Sequence, residues 1–435
     1  MMNRKRLATV LAATALSATL AGPAASQSVE DLQKQINALQ SQINELKKQQ
    51  ESAKKSDIKV KWEPAPSIQS ADGRFEMNLR GRIYADAGWV SDDDDNEDVK
   101  ATEFRTVRLG IEGKAWKDIK YKAEVDFADN EVDLKDAYLQ WKGPASITFG
   151  QFKTPNSLEE QTSSRYITFM ERASFTDAFD FARQIGIGVG FSGENFTANA
   201  GVFRGANGTA DEDEGETFAA RVTFGDKIGN GGSYHVGAHY RYRNAGDDQS
   251  DFRYRQRPHN HLASRFINTD RIADSDSTFG VELAGVMGPF SAQAEYAWLK
   301  ANLSDDFVGN ASLDDPTFTG GYISLSYFVT GESRAYKASK GSFQRIKVNK
   351  PVFEGGMGAW EIAARYDVID LTDESIQGGE QDTWIIGVNW YLNRHTRFMI
   401  NYSRSDIKDA FLVSDNGPDG ENDVDAFGIR FQVDW

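Results

Sequence analysis

The chain has no cysteine among its 435 residues, so no disulfide framework can hold it. Beyond the N-terminus no stretch approaches 18 consecutive apolar residues, which excludes a helical membrane domain. Basic residues are outnumbered, 49 against 65 acidic, and the net charge of −16 argues against nucleic acid as a partner. Histidine is scarce: His235, His239, His259, His261 and His395 are all there are, and no Gly-x-Ser-x-Gly run occurs. A hydrolase would be short of a base and a nucleophile in reach of each other. His235 and His239 lie four residues apart in an extended segment, roughly 13 Å, too far to chelate one metal. The run His259-Asn260-His261 is expected on a loop surface. No enzyme activity, cofactor or metal site is therefore expected.

What the chain does have is alternation. At its end Phe427, Ile429, Phe431, Val433 and Trp435 share one parity, while Gly428, Arg430, Gln432 and Asp434 take the other. A period of two sends these sets to opposite faces of a strand. Similar segments start near residues 74, 119, 133, 145, 183, 195, 217, 232, 277, 289, 317, 357, 381, 394 and 424, and one more carries Val107, Leu109 and Ile111. That makes sixteen. Apolar residues facing one way and charged ones the other suit a closed barrel with lipid outside and water inside. The expected fold is all-β, a 16-stranded antiparallel transmembrane β-barrel over residues 74–435. Connections should alternate, with short turns on one side and long outer loops at 91–101, 153–182, 205–216, 245–276 and 406–423. Residues 331–356 break this rule. They should form a short turn yet run to 26 residues, either a functional insertion or an extra hairpin.

The first 73 residues differ in kind. Arg4, Lys5 and Arg6 precede the apolar run Leu7 to Leu20, and Ala24-Ala25-Ser26 offers a cleavage site, so 1–26 is expected to be a secretory signal peptide. An uncleaved anchor is the alternative. Cleavage would leave 46 basic and 65 acidic residues, a net charge of −19. Val29, Leu32, Ile36, Leu39, Ile43 and Leu46 are spaced 3, 4, 3, 4, 3, the seam of a short coiled-coil helix over 27–55; a lone helix packed on the barrel is the other reading. Residues 56–73 are expected to be a linker.

Charge sorts by connection. Asp92 to Asp95 and Asp211 to Glu214 make two outer loops acidic, whereas 332–350 holds Arg334, Lys337, Lys340, Arg345, Lys347 and Lys350 against Glu332 alone. Arg253, Arg255 and Arg257 continue the parity of Arg241 and Arg243, so five arginines would form a track along one face; a solvated rim is the alternative. Strand parity assigns fourteen basic and ten acidic residues to the lumen face. Together these point to guidance of anions through a water-filled pore.

The runs Phe104-Arg105-Thr106-Val107-Arg108-Leu109-Gly110, Gly150 to Glu160, Thr162 to Arg172, Thr330 to Tyr336 and Gly358 to Tyr366 resemble the phosphate-selective porin O and P family. The resemblance implies a trimeric outer-membrane porin, with lipid, lipopolysaccharide and small anionic solutes as partners. It also implies that 153–182, 245–276 and 331–356 fold into the lumen, and that Arg105, Arg108, Ser163 and Ser164 contact the anion. The full candidate path adds Lys153, Arg165, Arg241, Arg243, Arg253, Arg255, Arg257, Arg334, Lys337 and Lys347. Phosphate-selective members place a lysine just ahead of the serines. Here Glu159 and Glu160 stand there, and a carboxylate beside the path would repel a dianion. A general or organic-acid porin is the nearest alternative; a structural envelope protein or adhesin, or an outer-membrane hydrolase, would come from other classes and is separated by conductance in a planar bilayer.

Overall fold

The protein is described by a computed structural model covering residues 29–55, 58–63, 65–93, 97–204, 214–229, 231–247, 251–309, 313–374, 376–413, 416 and 419–435. Eight strands form the first half of the wall: β1 Glu76–Asp92, β2 Asp98–Ala115, β3 Ile119–Asp126, β4 Asp133–Lys142, β5 Ser146–Lys153, β6 Arg183–Ser192, β7 Phe196–Arg204 and β8 Glu216–Ile228. The second half is β9 Gly232–Asn244, β10 Ile267–Met287, β11 Phe290–Leu303, β12 Thr317–Phe328, β13 Ala359–Asp373, β14 Ile376–Asn393, β15 Thr396–Lys408 and β16 Asn422–Asp434. Each strand pairs antiparallel with the next. β16 then pairs with β1, from Val424 opposite Asp92 to Asp434 opposite Arg82, and the sheet closes.

Closure leaves no exposed edge, so every strand can satisfy its backbone within the wall. At the seam the Trp435 N–H donates to the Gly81 carbonyl at 3.0 Å. The Trp435 ring lies over Gly81, where a Cβ would fall 2.0 Å from it, so only glycine fits without displacing the indole. The first residues of β1 lie beyond the reach of β16. They are paired instead by a short hairpin, Lys59–Lys61 with Ser67–Gln69, whose second strand meets Glu76 to Asn78. Part of 56–73 is thus strand rather than linker, because the stagger of the closed sheet leaves those β1 groups in need of partners.

Outward positions carry exposed apolar side chains such as Leu109, Ile187, Leu283 and Ile386. Aromatic rings band the wall at two levels. Trp360, Trp390, Phe398 and Phe431 adjoin in series near the short turns. Phe279–Trp298, Tyr366–Trp384 and Trp89–Phe427 lie nearer the long loops. Such girdles mark the two interfaces of a bilayer. Leu109→Arg, between them, is expected to cost about 2–4 kcal/mol, read as a lower urea midpoint in lipid; a Leu109→Arg barrel as stable as the wild type would put this face out of lipid.

Several boundaries differ from the sequence reading. The connection expected at 91–101 shrinks to 93–97, and β13 and β14 meet in a tight turn after Asp373. β10 begins at Ile267, ten residues early, because its outer end pairs with Phe252–Gln256 of the loop above it. The acidic runs 92–95 and 211–214 fall in part outside the described residues, as does the whole of 1–26. The helix α1, Val29–Lys55, forms a unit of its own.

Candidate functional site

The third outer loop, 154–182, enters the lumen and carries two short helices, α2 Leu158–Gln161 and α3 Ser174–Ala178. It is laid against the inner face of β9–β16 by side chains that bind its backbone. Glu295 accepts from the N–H groups of Leu158 and Glu159 at 2.8 and 2.7 Å. Arg397 donates to the Ile167 carbonyl, Asn389 to that of Thr168 and Arg430 to that of Met170. Asn401 accepts from the Met170 N–H, and Asp367 from that of Ser174. Above this, Phe175 and Phe179 pack with Tyr254, Phe266, Phe318 and Leu371 into an apolar core that plugs this side of the barrel.

The water path is therefore pushed to the opposite wall. A cavity of about 660 Å³ lies between the third loop and β1–β7, with residues of the fifth outer loop and Lys340 at its margins. Thirteen of its lining residues are lysine or arginine and four are Asp or Glu: Asp136, Glu160, Glu171 and Asp177. Arg105 and Arg108, both on β2, are three residues apart and would face opposite ways in a regular strand. A β-bulge resolves this: Tyr84 pairs with Thr106 and Ala85 with Phe104, leaving Arg105 unopposed and turned inward.

Most of these cations share carboxylates. Glu124 meets Arg82 at 2.9 Å, Arg108 at 3.2 Å and Lys122 at 3.7 Å. Asp136 takes Lys122 and Arg183, and Asp126 takes Arg108. Glu171 joins Arg105 at 3.1 Å to Arg430 at 2.8 Å, and these two arginines hold it well below the ordinary carboxylate range despite its burial. With Asp86, Glu160, Asp177 and Glu282, eight carboxylates pair with ten of the thirteen. Arg165, Arg257 and Lys340 make no ion pair among the described residues. Arg165 bonds Ser163 and Arg257 the Ala263 carbonyl, neither of which cancels charge. Burial, then the neighbouring Lys337, pushes the Lys340 ammonium down. Burial and Arg257 push Arg265 down to about 10, still charged at neutral pH.

Of the residues read from sequence, Arg105, Arg108, Lys153, Ser163, Ser164, Arg165 and Arg257 line this cavity. Ser164 Oγ accepts from Arg82 at 2.9 Å, tying the serine segment to the wall. The five-arginine track does not form. Arg241 is buried against the carbonyls of Phe179 and Asp180, and Arg243 against Asp276 and Asp180, so both anchor the third loop. Arg253 and Arg255 stay partly exposed near Arg257, and burial with Arg253 alongside pushes Arg255 down. Residues 331–356 do fold inward, as a small hairpin of Ala335–Lys337 with Ser342–Gln344. Its Arg334 is buried, stacked on Phe343 at 3.6 Å and bonded to Gln293. Lys337 and Lys347 stay exposed outside the cavity lining, where Lys340 represents this turn instead.

Two further expectations are corrected. Glu159 does not face the path: it is buried between Arg365 at 2.7 Å and Gln293 at 2.9 Å. Glu160 does line it, but lies between Lys153 at 2.8 Å and Arg172 at 3.1 Å, which outweigh its burial and keep it ionised. The 259–261 run is not loop surface either. His259 and Asn260 are buried because the fifth loop turns inward, and His261 meets Glu103 at 2.9 Å. Arg172, Arg183 and Arg265 were not singled out in the sequence; Arg172 ends a run that carries the resemblance, and its position there was the available signal.

A closed sixteen-stranded barrel with a lipid-facing belt, inward-folded loops and a cation-rich aqueous path defines an outer-membrane porin. Residues 77–435 match the family described as phosphate-selective porin O and P, and the chain belongs to that family. It is a channel of the bacterial outer membrane, of the anion-selective kind. Porin O of Pseudomonas aeruginosa is 29% identical over 425 residues, covering 87% of this chain and 92% of that one. The anion-selective porin from Comamonas acidovorans shares the fold with a TM-score of 0.53 at 12% identity, covering 83% of this chain and all of the other. The trimer form of OmpT from Vibrio cholerae is similar at a TM-score of 0.52 and 13% identity, covering 83% and 99%.

Proposed function

We propose that small anions, phosphate-like dianions among them, diffuse along the passage between the third loop and β1–β7. The observation that carries this reading is the charge balance there: thirteen lysine and arginine residues line the passage, and eight carboxylates pair with ten of them. Arg253, Arg255 and Arg257 form the outer approach, Arg105, Arg108, Lys153, Ser163, Ser164 and Arg165 the middle, and Lys340 with Lys337 the inner exit. Carboxylate pairing fixes each arginine in place while the surplus sets the sign of the field. Because Glu159 and Glu160 are neutralised by Arg365, Lys153 and Arg172, they do not bar a dianion. Inorganic phosphate should therefore reduce a chloride current through the purified channel in a concentration-dependent way. A chloride current indifferent to phosphate would leave a general anion pore.

The working unit in this reading is a homotrimer, like the trimer form of OmpT from Vibrio cholerae. The seam of α1 supports self-association too: Val29, Leu32, Ile36, Leu39, Ile43 and Leu46 are 46–82% exposed in the single chain, as a coiled-coil face awaiting other copies would be. A helix this short is marginal alone, so the barrel walls are taken to hold most of the contact. Deleting 28–50 should leave SDS-resistant trimers that shift only on boiling; monomers after that deletion would move the interface to the helix. Export with removal of 1–26, and contact with lipid and lipopolysaccharide, complete the reading.

A further inference from the structure

One stretch of the passage wall is not polar. On β6, Gly186, Gly188 and Gly190 point into the lumen, so this strand presents bare backbone there. Rings from the neighbouring strands lie on it. A Cβ at Gly186 would fall 2.5 Å from the Phe203 ring, and one at Gly188 would fall 3.0 Å from that of Phe152. Phe152 and Phe203 adjoin at 5.2 Å, and Tyr138 adjoins Phe152 at 6.2 Å. All three line the cavity, and Phe152 and Tyr138 remain partly exposed, unlike Phe175 and Phe179 of the third loop, which are completely buried in the apolar core on the other side of the barrel. A porin lumen is ordinarily polar, and an uncovered aromatic wall inside one calls for a ligand with a matching face. Charge stands directly beside it. Lys153 follows Phe152 and pairs in register with Arg183, and among the described residues six cations around this wall share only Glu124, Asp126, Asp136 and Glu160.

We propose that this wall is a subsite for small organic anions with a flat, apolar body, namely aromatic carboxylates and sulfonates. The anionic head sits among the cations while the ring covers Phe152 and Tyr138. A cavity of about 660 Å³ is within the range that takes a small molecule. Inorganic phosphate, an acceptor on every side, gains nothing from the rings. This rests on the anion reading of the same passage, and the test separates the two.

The full-length channel in a planar bilayer is given benzenesulfonate or methanesulfonate, two permanently charged anions of equal charge, as blockers of its chloride current. Benzenesulfonate should half-block at a concentration about five- to tenfold lower, the scale of one aromatic contact. Phe152→Leu, which keeps an apolar filling but removes the ring, should shrink that gap to within about twofold while leaving the chloride-over-potassium preference unchanged; Tyr138→Leu should act the same way. Equal block by the two sulfonates in an anion-preferring wild-type channel overturns the subsite alone, as does a gap that survives both substitutions. A wild-type channel that prefers potassium overturns the anion reading with it. If neither variant assembles, the wild-type ratio decides.

Discussion

Changing Arg165, Arg257 and Lys340 together to glutamate is expected to carry the zero-current potential through zero, from anion to cation preference. These are the three lining cations that no carboxylate balances in the described residues. Thirteen cations against eight paired carboxylates become ten against eleven, so the sign of the lining charge inverts. In a passage with an effective dielectric of about 20, a unit charge about 4 Å from an ion weighs about 4 kcal/mol, against about 1 kcal/mol in bulk water. Position therefore matters more than net charge. Reversing Lys337 and Lys347, which lie outside the lining, should shift the potential much less. Neutralising Asp93, just past the outer end of β1, to asparagine should barely move it, since salt screens a charge at the outer rim within about 8 Å. A triple variant that keeps the wild-type potential would mean that the paired arginines, not the surplus, set selectivity.

The second large effect concerns the loop that shapes the path. Arg365→Met should destabilise the protein by about 3–5 kcal/mol, because it strands the buried Glu159 carboxylate beside Glu295. Arg365 also lies over the ring of Phe169 at 4.6 Å, so it holds the loop at Glu159 and at Phe169, and its other face stacks on Tyr322 of β12 at 4.5 Å. With α2 released, single-channel current should become noisier and its mean larger. Adding Glu159→Gln removes the stranded charge and should recover most of the lost stability, a coupling that a double-mutant cycle reads directly. If Arg365→Met lowers the urea midpoint by no more than a surface substitution would, the loop is held by something other than this pair.

The strands were the legible part of this chain. Starts at 119, 133, 183, 232 and 317 coincide with the observed ones, because a wall with lipid on one face and water on the other enforces strict alternation. The pattern fails where that contrast ends, as above the membrane on β10, where the strand is held by loop pairing instead. In the lumen, parity tells which way a side chain points but not what it meets there. Arg241, Arg243, Arg365 and Arg430 share the inward face with Arg82 and Arg108. Arg241, Arg243 and Arg365 hold the third loop away from the passage, while Arg430 both binds the loop and faces it. Only the fold of that loop separates these roles. Glu159 and Glu160 mislead for the same reason, since their partners come from β13, β5 and the loop's own Arg172. Arg105 is the opposite case: strict parity would turn it out, and a single bulge turns it in.

The most direct test of the central claim is the zero-current potential of the wild-type channel across a potassium chloride gradient at neutral pH. A passage whose lining cations outweigh its carboxylates predicts chloride crossing in preference to potassium despite the chain's net charge of −16. A potential of the opposite sign would show that the outer acids, and not the passage between the third loop and β1–β7, govern what this porin admits.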